Sequence, residues 1–237
     1  MEKQMIDINL LKQKISSELL EQLKKDINNK NYIFPSEIND CSRLIWFKLK
    51  HYPIDSDYKI FYPEVKLLGD LGNTFHEHFQ EEANELIIHE RNFILEELLM
   101  KGRIDAKDAD TIYEIKTADT KTFFSLQEPL PKHLLQTLVY TIAFPNVKNI
   151  CIIYINRNFK RYESDVKQFE YKDIYQNQKL LAMIAEIRKK INYIRDCYLN
   201  NKMPTEFLVK DSCAYCPYKF QCNENSTIKQ QKGEQNG

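Results

Sequence analysis

The chain has 237 residues, 43% hydrophobic and 29% charged, with 34 basic residues balancing 34 acidic ones to a formal net charge of zero. That length can bury a substantial core, the composition excludes a disordered or fibrous protein, and the charge balance leaves only local Lys and Arg patches for holding nucleic acid. No apolar run is long enough to cross a bilayer and "MEKQMIDINLLKQKI" lacks a secretory apolar block, so the expectation is a cytoplasmic protein whose six cysteines are thiols or metal ligands.

Taken in chain order, apolar positions from Ile6 to Leu23 recur at helical spacing and predict an amphipathic helix over 6–28. "FPSEINDCSRLIWFKLKHYP" predicts a turn, a short helix and a proline stop. A long helix follows over 64–90, with Leu68, Phe75, Phe79, Ala83 and Leu86 on its inner stripe. "NFILEELLMKGRIDAKD" reads as a strand, Lys107 to Asp110 as a tight turn, and "TIYEIKT" as a second strand. "PKHLLQTLVYTIAF" begins a helix at proline, "NICIIYINRN" is a buried strand, "RYESDVKQFEY" a more exposed one, and about 174–199 a long helix. These elements predict one α/β domain over 1–222, a mixed central sheet flanked by helices, followed by a disordered polar tail over 223–237.

Side chains two apart on a strand share a face, so Glu114 and Lys116 point together, and the hairpin turn returns Asp105 beside them. Neighbouring carboxylates repel unless a cation intervenes, which points to a divalent metal, Mg(II) or Mn(II), held by Asp105 and Glu114. Lys116 then either orients the nucleophile or stabilises developing negative charge in phosphodiester hydrolysis. His76, one turn after Gly72, is a candidate third ligand, whereas His78 faces away. Lys132, Gln136 and Tyr140 lie four apart along one helix and form a stripe suited to a nucleic-acid strand, Lys to phosphate, Tyr to a base face or phosphate, Gln to polar edges.

Cys213, Cys216 and Cys222 form a C-x2-C-x5-C turn, with Cys41 the best fourth ligand; Cys151 and Cys197 read as core thiols. Four thiolates can hold zinc or an iron-sulfur cluster, and spacing alone does not separate them. Either centre ties 35–50 to 205–222 and serves the fold.

In this order the motifs resemble the PD-(D/E)XK nucleases of the RecB type, in the branch with a cysteine-bound [4Fe-4S] cluster that includes the CRISPR-associated exonucleases and AddB-type recombination nucleases. The resemblance covers about 35–222: Gly72 with His76, Asp105 in "GRID", Glu114 and Lys116 in "EIK", Gln136 with Tyr140, and the split set Cys41, Cys213, Cys216 and Cys222. It implies a restriction-endonuclease-like fold in which a cluster subdomain joins the two ends of the chain. It implies His76, Asp105, Glu114 and the Ile115 carbonyl as metal ligands and Lys116 as the catalytic lysine. It further implies single-stranded DNA as the favoured substrate, exonuclease action with endonuclease activity also open, and the CRISPR integrase complex as a partner. Ser42 departs from the proline that often follows the first cysteine. Lys101, Arg103, Arg157, Lys160 and Arg161 are candidates for lining the DNA path. The alternative functional reading is a non-catalytic DNA-binding or assembly subunit stabilised by zinc or a cluster.

Overall fold

Among the residues described by the computed structural model (21, 31–56, 58, 88–157, 165–205 and 212–223), five strands form a mixed sheet in sequence order. They are β1 (Ile88–Leu95), β2 (Met100–Lys107), β3 (Thr111–Ala118), β4 (Asn149–Asn156) and β5 (Val166–Tyr171). Helices α1 (Ser42–Leu49), α2 (Thr120–Ser125), α3 (Pro131–Ala143) and α4 (Gln178–Leu199) accompany them. The chain divides into two compact units, one within Tyr32–Asn39 and Gly69–Asp196, the other within Asp40–Leu68 and Cys197–Gly237 together with Met1–Asn31. The helix expected over 6–28, most of the one over 64–90, and the tail beyond 223 lie outside the described residues.

The sheet departs from the sequence reading at its first hairpin. Ile88 to Glu90, expected to end a helix, belong to β1, with Ile88 opposite Lys107 and His89 opposite Ala106. The stretch expected to be one strand from Asn92 onward is two antiparallel strands, broken where Glu96–Leu98 form a 3-10 turn and Leu99 adopts a left-handed φ of 49°. Glu96 and Glu97 are exposed in the middle of an apolar run, and carrying both carboxylates to water turns the chain there. Ile33 bridges Met100 from outside the hairpin. At Gly102 an added Cβ would stand 2.7 Å from the Phe93 ring and 2.8 Å from Pro35, so glycine is what allows these two to close over β2.

The second hairpin matches expectation. The Asp108 carboxylate accepts from the Asp110 and Thr111 N–H groups at 3.0 and 2.7 Å and from the Tyr113 hydroxyl at 2.7 Å, fixing the turn. β3 then pairs with β4 in parallel over their whole length, a connection that needs a crossover, supplied by α2 and α3. β4 is buried on both faces, which accounts for its nearly unbroken apolar sequence, while β5 shows alternating exposure at the edge. Pro131 starts α3 as expected. The long helix begins later than 174, because Ile174–Gln176 is a separate 3-10 turn and the Asn177 side chain caps α4 by accepting from the Leu180 N–H.

In the other unit, α1 buries Ile45, Trp46, Phe47 and Leu49. Phe47 stacks on Tyr218 with centroids 5.2 Å apart, and the Trp46 indole N–H donates to the Cys197 carbonyl at 3.3 Å. The Asp55 carboxylate accepts from the Phe220 N–H at 2.7 Å and its own N–H donates to the Pro217 carbonyl at 2.9 Å, docking the C-terminal cysteine turn. No helix of the described residues is long and apolar enough to cross a membrane.

Candidate active site

The β2–β3 ladder has two registered pairs, Ala106 with Tyr113 and Lys107 with Ile112. Beyond them the Asp105 carboxylate takes over the role of the partner strand and accepts the Ile115 N–H at 2.8 Å. A side chain thereby replaces a backbone acceptor, and the negative charge of Asp105 is fixed beside β3. Glu114 is fully buried at 0% exposure and its carboxylate is ion-paired with the Lys116 ammonium. Burial alone lowers the Lys116 pKa, but the charge and hydrogen bond of Glu114, joined by the charge of Asp105, outweigh it and hold the lysine above its ordinary value. The three residues expected to converge are therefore together.

Helix α3 carries the next group. Gln136 donates to the Tyr140 hydroxyl at 2.9 Å, so these two are joined as their spacing predicts. Burial raises Tyr140 far above the ordinary phenol range, with the charges of Glu114 and Asp105 acting the same way. The ring is 3% exposed and meets Phe93 edge-on at 6.0 Å, so it is packed into the core where the sequence reading set it against a base face or a phosphate. Lys132 is exposed, with its carbonyl accepting from the Asn39 side chain at 3.1 Å.

Sequence reasoning missed His133 and Tyr154. Tyr154 on β4 is the register partner of Lys116 and is fully buried. Its hydroxyl accepts the Leu130 N–H at 3.0 Å and lies 2.7 Å from His133 Nδ1. Burial, then the charges of Lys116 and Lys132, hold the His133 pKa down at about 4. Burial pushes Tyr154 up to about 12 against the opposing effect of the Leu130 bond. The available signal was the spacing of His133, Gln136 and Tyr140 at i, i+3 and i+7, as good a helical stripe as the one begun at Lys132.

The four cysteines singled out are unbridged and partly buried, whereas Cys151 and Cys197 are buried as expected. Burial and the neighbouring Cys213, Cys222 and Cys41 push the Cys216 thiol up to about 11, against the pull of the Tyr218 N–H. Arg43 donates to Cys222 Sγ at 3.4 Å and to the Pro204 carbonyl at 2.8 Å.

Among the described residues, no group of three or more His, Cys, Asp or Glu side chains is placed to hold one metal ion. Of the ligands expected at the sheet, the Asp105 and Glu114 carboxylates and the Ile115 carbonyl are oxygen atoms of the kind that suits Mg(II) or Mn(II), while Gly72, His76 and His78 lie outside the described residues. Lys101 and Arg103 are exposed at the alternate positions of β2 that also carry Asp105. Arg157 lies 3.9 Å from the Asp119 carboxylate, and Lys160 and Arg161 are outside the described residues.

A family profile described as the PD-(D/E)XK nuclease superfamily matches residues 38–223. Similar solved structures include that of SSO0001, 14% identical with a TM-score of 0.47, covering 88% of this chain and 94% of that one. Another is LHK-Exo in complex with dAMP, 12% identical with a TM-score of 0.42, covering 74% and 97%. The alkaline exonuclease LHK-Exo from Laribacter hongkongensis is also 12% identical, with a TM-score of 0.38 and the same coverage. No curated protein matches the chain by sequence.

Proposed function

The chain belongs to the PD-(D/E)XK nuclease superfamily, and from that premise we propose a metal-dependent DNA nuclease of the RecB-like, CRISPR-associated type, acting on single-stranded DNA chiefly as an exonuclease. The observation that carries the catalytic part is the convergence of Asp105, Glu114 and Lys116 on adjoining strands, with two carboxylates acting on one ammonium. Asp105, Glu114 and the Ile115 carbonyl, with His76, would hold Mg(II) or Mn(II), which when bound supplies Lewis-acid polarisation of a phosphate oxygen. Lys116, kept charged by its neighbours, stabilises negative charge developing on the scissile phosphate. Lys101, Arg103 and Lys132 are exposed cations for phosphates along the strand.

The single-strand preference, the exonuclease mode and a role in preparing ends for the CRISPR integrase rest on the resemblance that the ordered motifs carry. Cleavage of end-labelled single-stranded and duplex oligonucleotides in Mg(II) or Mn(II) tests them. Internal cuts only, or duplex preference, overturns the mode, and no cleavage by wild-type protein overturns the enzyme in favour of a DNA-binding subunit.

For the cysteines the reading is a [4Fe-4S] cluster on Cys41, Cys213, Cys216 and Cys222. Each cysteine of such a cluster binds a different iron, so its thiolates need to be neighbours without converging on a single ion. What supports this reading is the ordered motif set to which the four cysteines belong, while their spacing alone leaves zinc open. Iron and sulfide analysis of anaerobically purified protein decides, with zinc alone as the overturning result.

A further inference from the structure

The fully buried Tyr154 hydroxyl already accepts the Leu130 N–H, and its own proton needs an acceptor. Among the described residues the acceptor in reach is His133 Nδ1 at 2.7 Å. An imidazole whose Nδ1 receives a proton carries its own on Nε2. No described residue hydrogen-bonds to that second nitrogen, and the ring is half-buried. It also lies within the field of Lys116, as its register partner Tyr154 lies beside that lysine on the sheet.

We propose that His133 contacts the nucleic-acid substrate as an uncharged hydrogen-bond donor, Tyr154 fixing the imidazole so that Nε2–H faces a phosphate oxygen next to the one served by Lys116. Its depressed pKa agrees with a neutral ring. The role differs in kind from that of Lys132, one residue earlier, whose ammonium would release counterions on meeting a phosphate. This inference rests on the nuclease reading of the same site.

The test measures binding of a fluorescein-labelled single-stranded oligonucleotide, without divalent metal, over a range of salt concentrations. His133→Ala is expected to weaken binding roughly tenfold at every salt concentration, leaving the slope of log affinity against log salt unchanged. Lys132→Ala is expected to reduce that slope by about 0.7. Nitrogen-15 NMR of histidine-labelled wild-type protein is expected to show the Nε2–H tautomer at neutral pH and an Nε2 shift on adding the oligonucleotide. Unchanged binding by a folded H133A protein, a slope reduced as for K132A, or an Nδ1–H tautomer overturns the inference. Should H133A fail to fold, the NMR experiment alone decides: an Nε2 signal indifferent to the oligonucleotide overturns it. Wild-type protein that neither binds nor cleaves overturns the nuclease reading and this contact together, whereas wild-type cleavage with intact H133A binding overturns the contact alone.

Discussion

At the sheet, the Glu114 carboxylate is wholly buried and its charge is met by Lys116 from the same strand. At the C-terminal cysteine turn, the thiols are partly exposed and burial pushes Cys216 up to about 11, so that thiol is protonated and neutral near pH 7. One centre is charged before any ligand arrives, because the fold supplies the counter-charge. At the other, the proposed metal would have to displace the Cys216 proton before that thiol could bind it. On the proposed function the contrast would separate two uses of a metal, as a reagent entering a prepared electrostatic site and as a fastener completing the fold.

The largest effect that sharpens this contrast is expected at the sheet. Lys116→Ala and Glu114→Ala should each lower cleavage by at least about a hundredfold in single-turnover assays. Glu114→Ala should also cost about 2 kcal/mol in urea unfolding, less than for a wholly buried pair, since it strips the half-buried lysine of its main counter-charge. Replacing both residues with apolar ones, Glu114→Leu with Lys116→Met, should recover most of that stability and none of the activity. Full activity in either single variant would break the assignment of a prepared site.

Next in size is the fastener. Cys216→Ser should abolish bound iron or zinc, measured by elemental analysis, and lower the stability of the protein by several kcal/mol. Unchanged metal content and melting temperature would remove the structural role of the four thiols.

A smaller effect follows from proton linkage. The folded Cys216 thiol is raised from 9.0 to about 11, so its contribution to metal-free stability is fully present below pH 9 and is lost as pH rises through about 11. Discounted for partial exposure, the loss is on the order of 1 kcal/mol across that window. Metal-loaded protein should show no such loss from this thiol, because its proton has already been displaced. The comparison is read from melts of both forms between pH 8 and pH 11. The smallest effect belongs to Tyr140→Phe, which removes the hydroxyl bonded to Gln136 and should cost about 1 kcal/mol in urea unfolding.

The grouping of Asp105, Glu114 and Lys116 was legible because its information is local. The turn at Asp108, the two-residue period of β3 and the spacing from Asp105 to Glu114 specify a hairpin without reference to the rest of the chain. Where packing decides, the sequence is ambiguous. Counting back from Gln136, Lys132 at four residues and His133 at three are equally good neighbours on a helix, and only the position of Tyr154 on β4 selects the histidine. Left-handed Leu99 is similarly invisible, since leucine carries no turn signal, and the hairpin there is set by two glutamates reaching water and by the bridge from Ile33. The burial of Tyr140 was hidden for the same reason, as periodicity gives the side of a helix and not the depth to which that side is sunk.

The parallel seam between β3 and β4 delays assembly of the centre during synthesis. A nascent chain that has released the Asp105–Glu114 hairpin lacks its neighbour strand until residues 119–148 have been made and β4 has left the ribosome. Until then Glu114 and Lys116 remain in water, where their attraction is weak. A polypeptide truncated before 149 therefore carries Asp105, Glu114 and Lys116 without the strand that flanks them in the finished sheet.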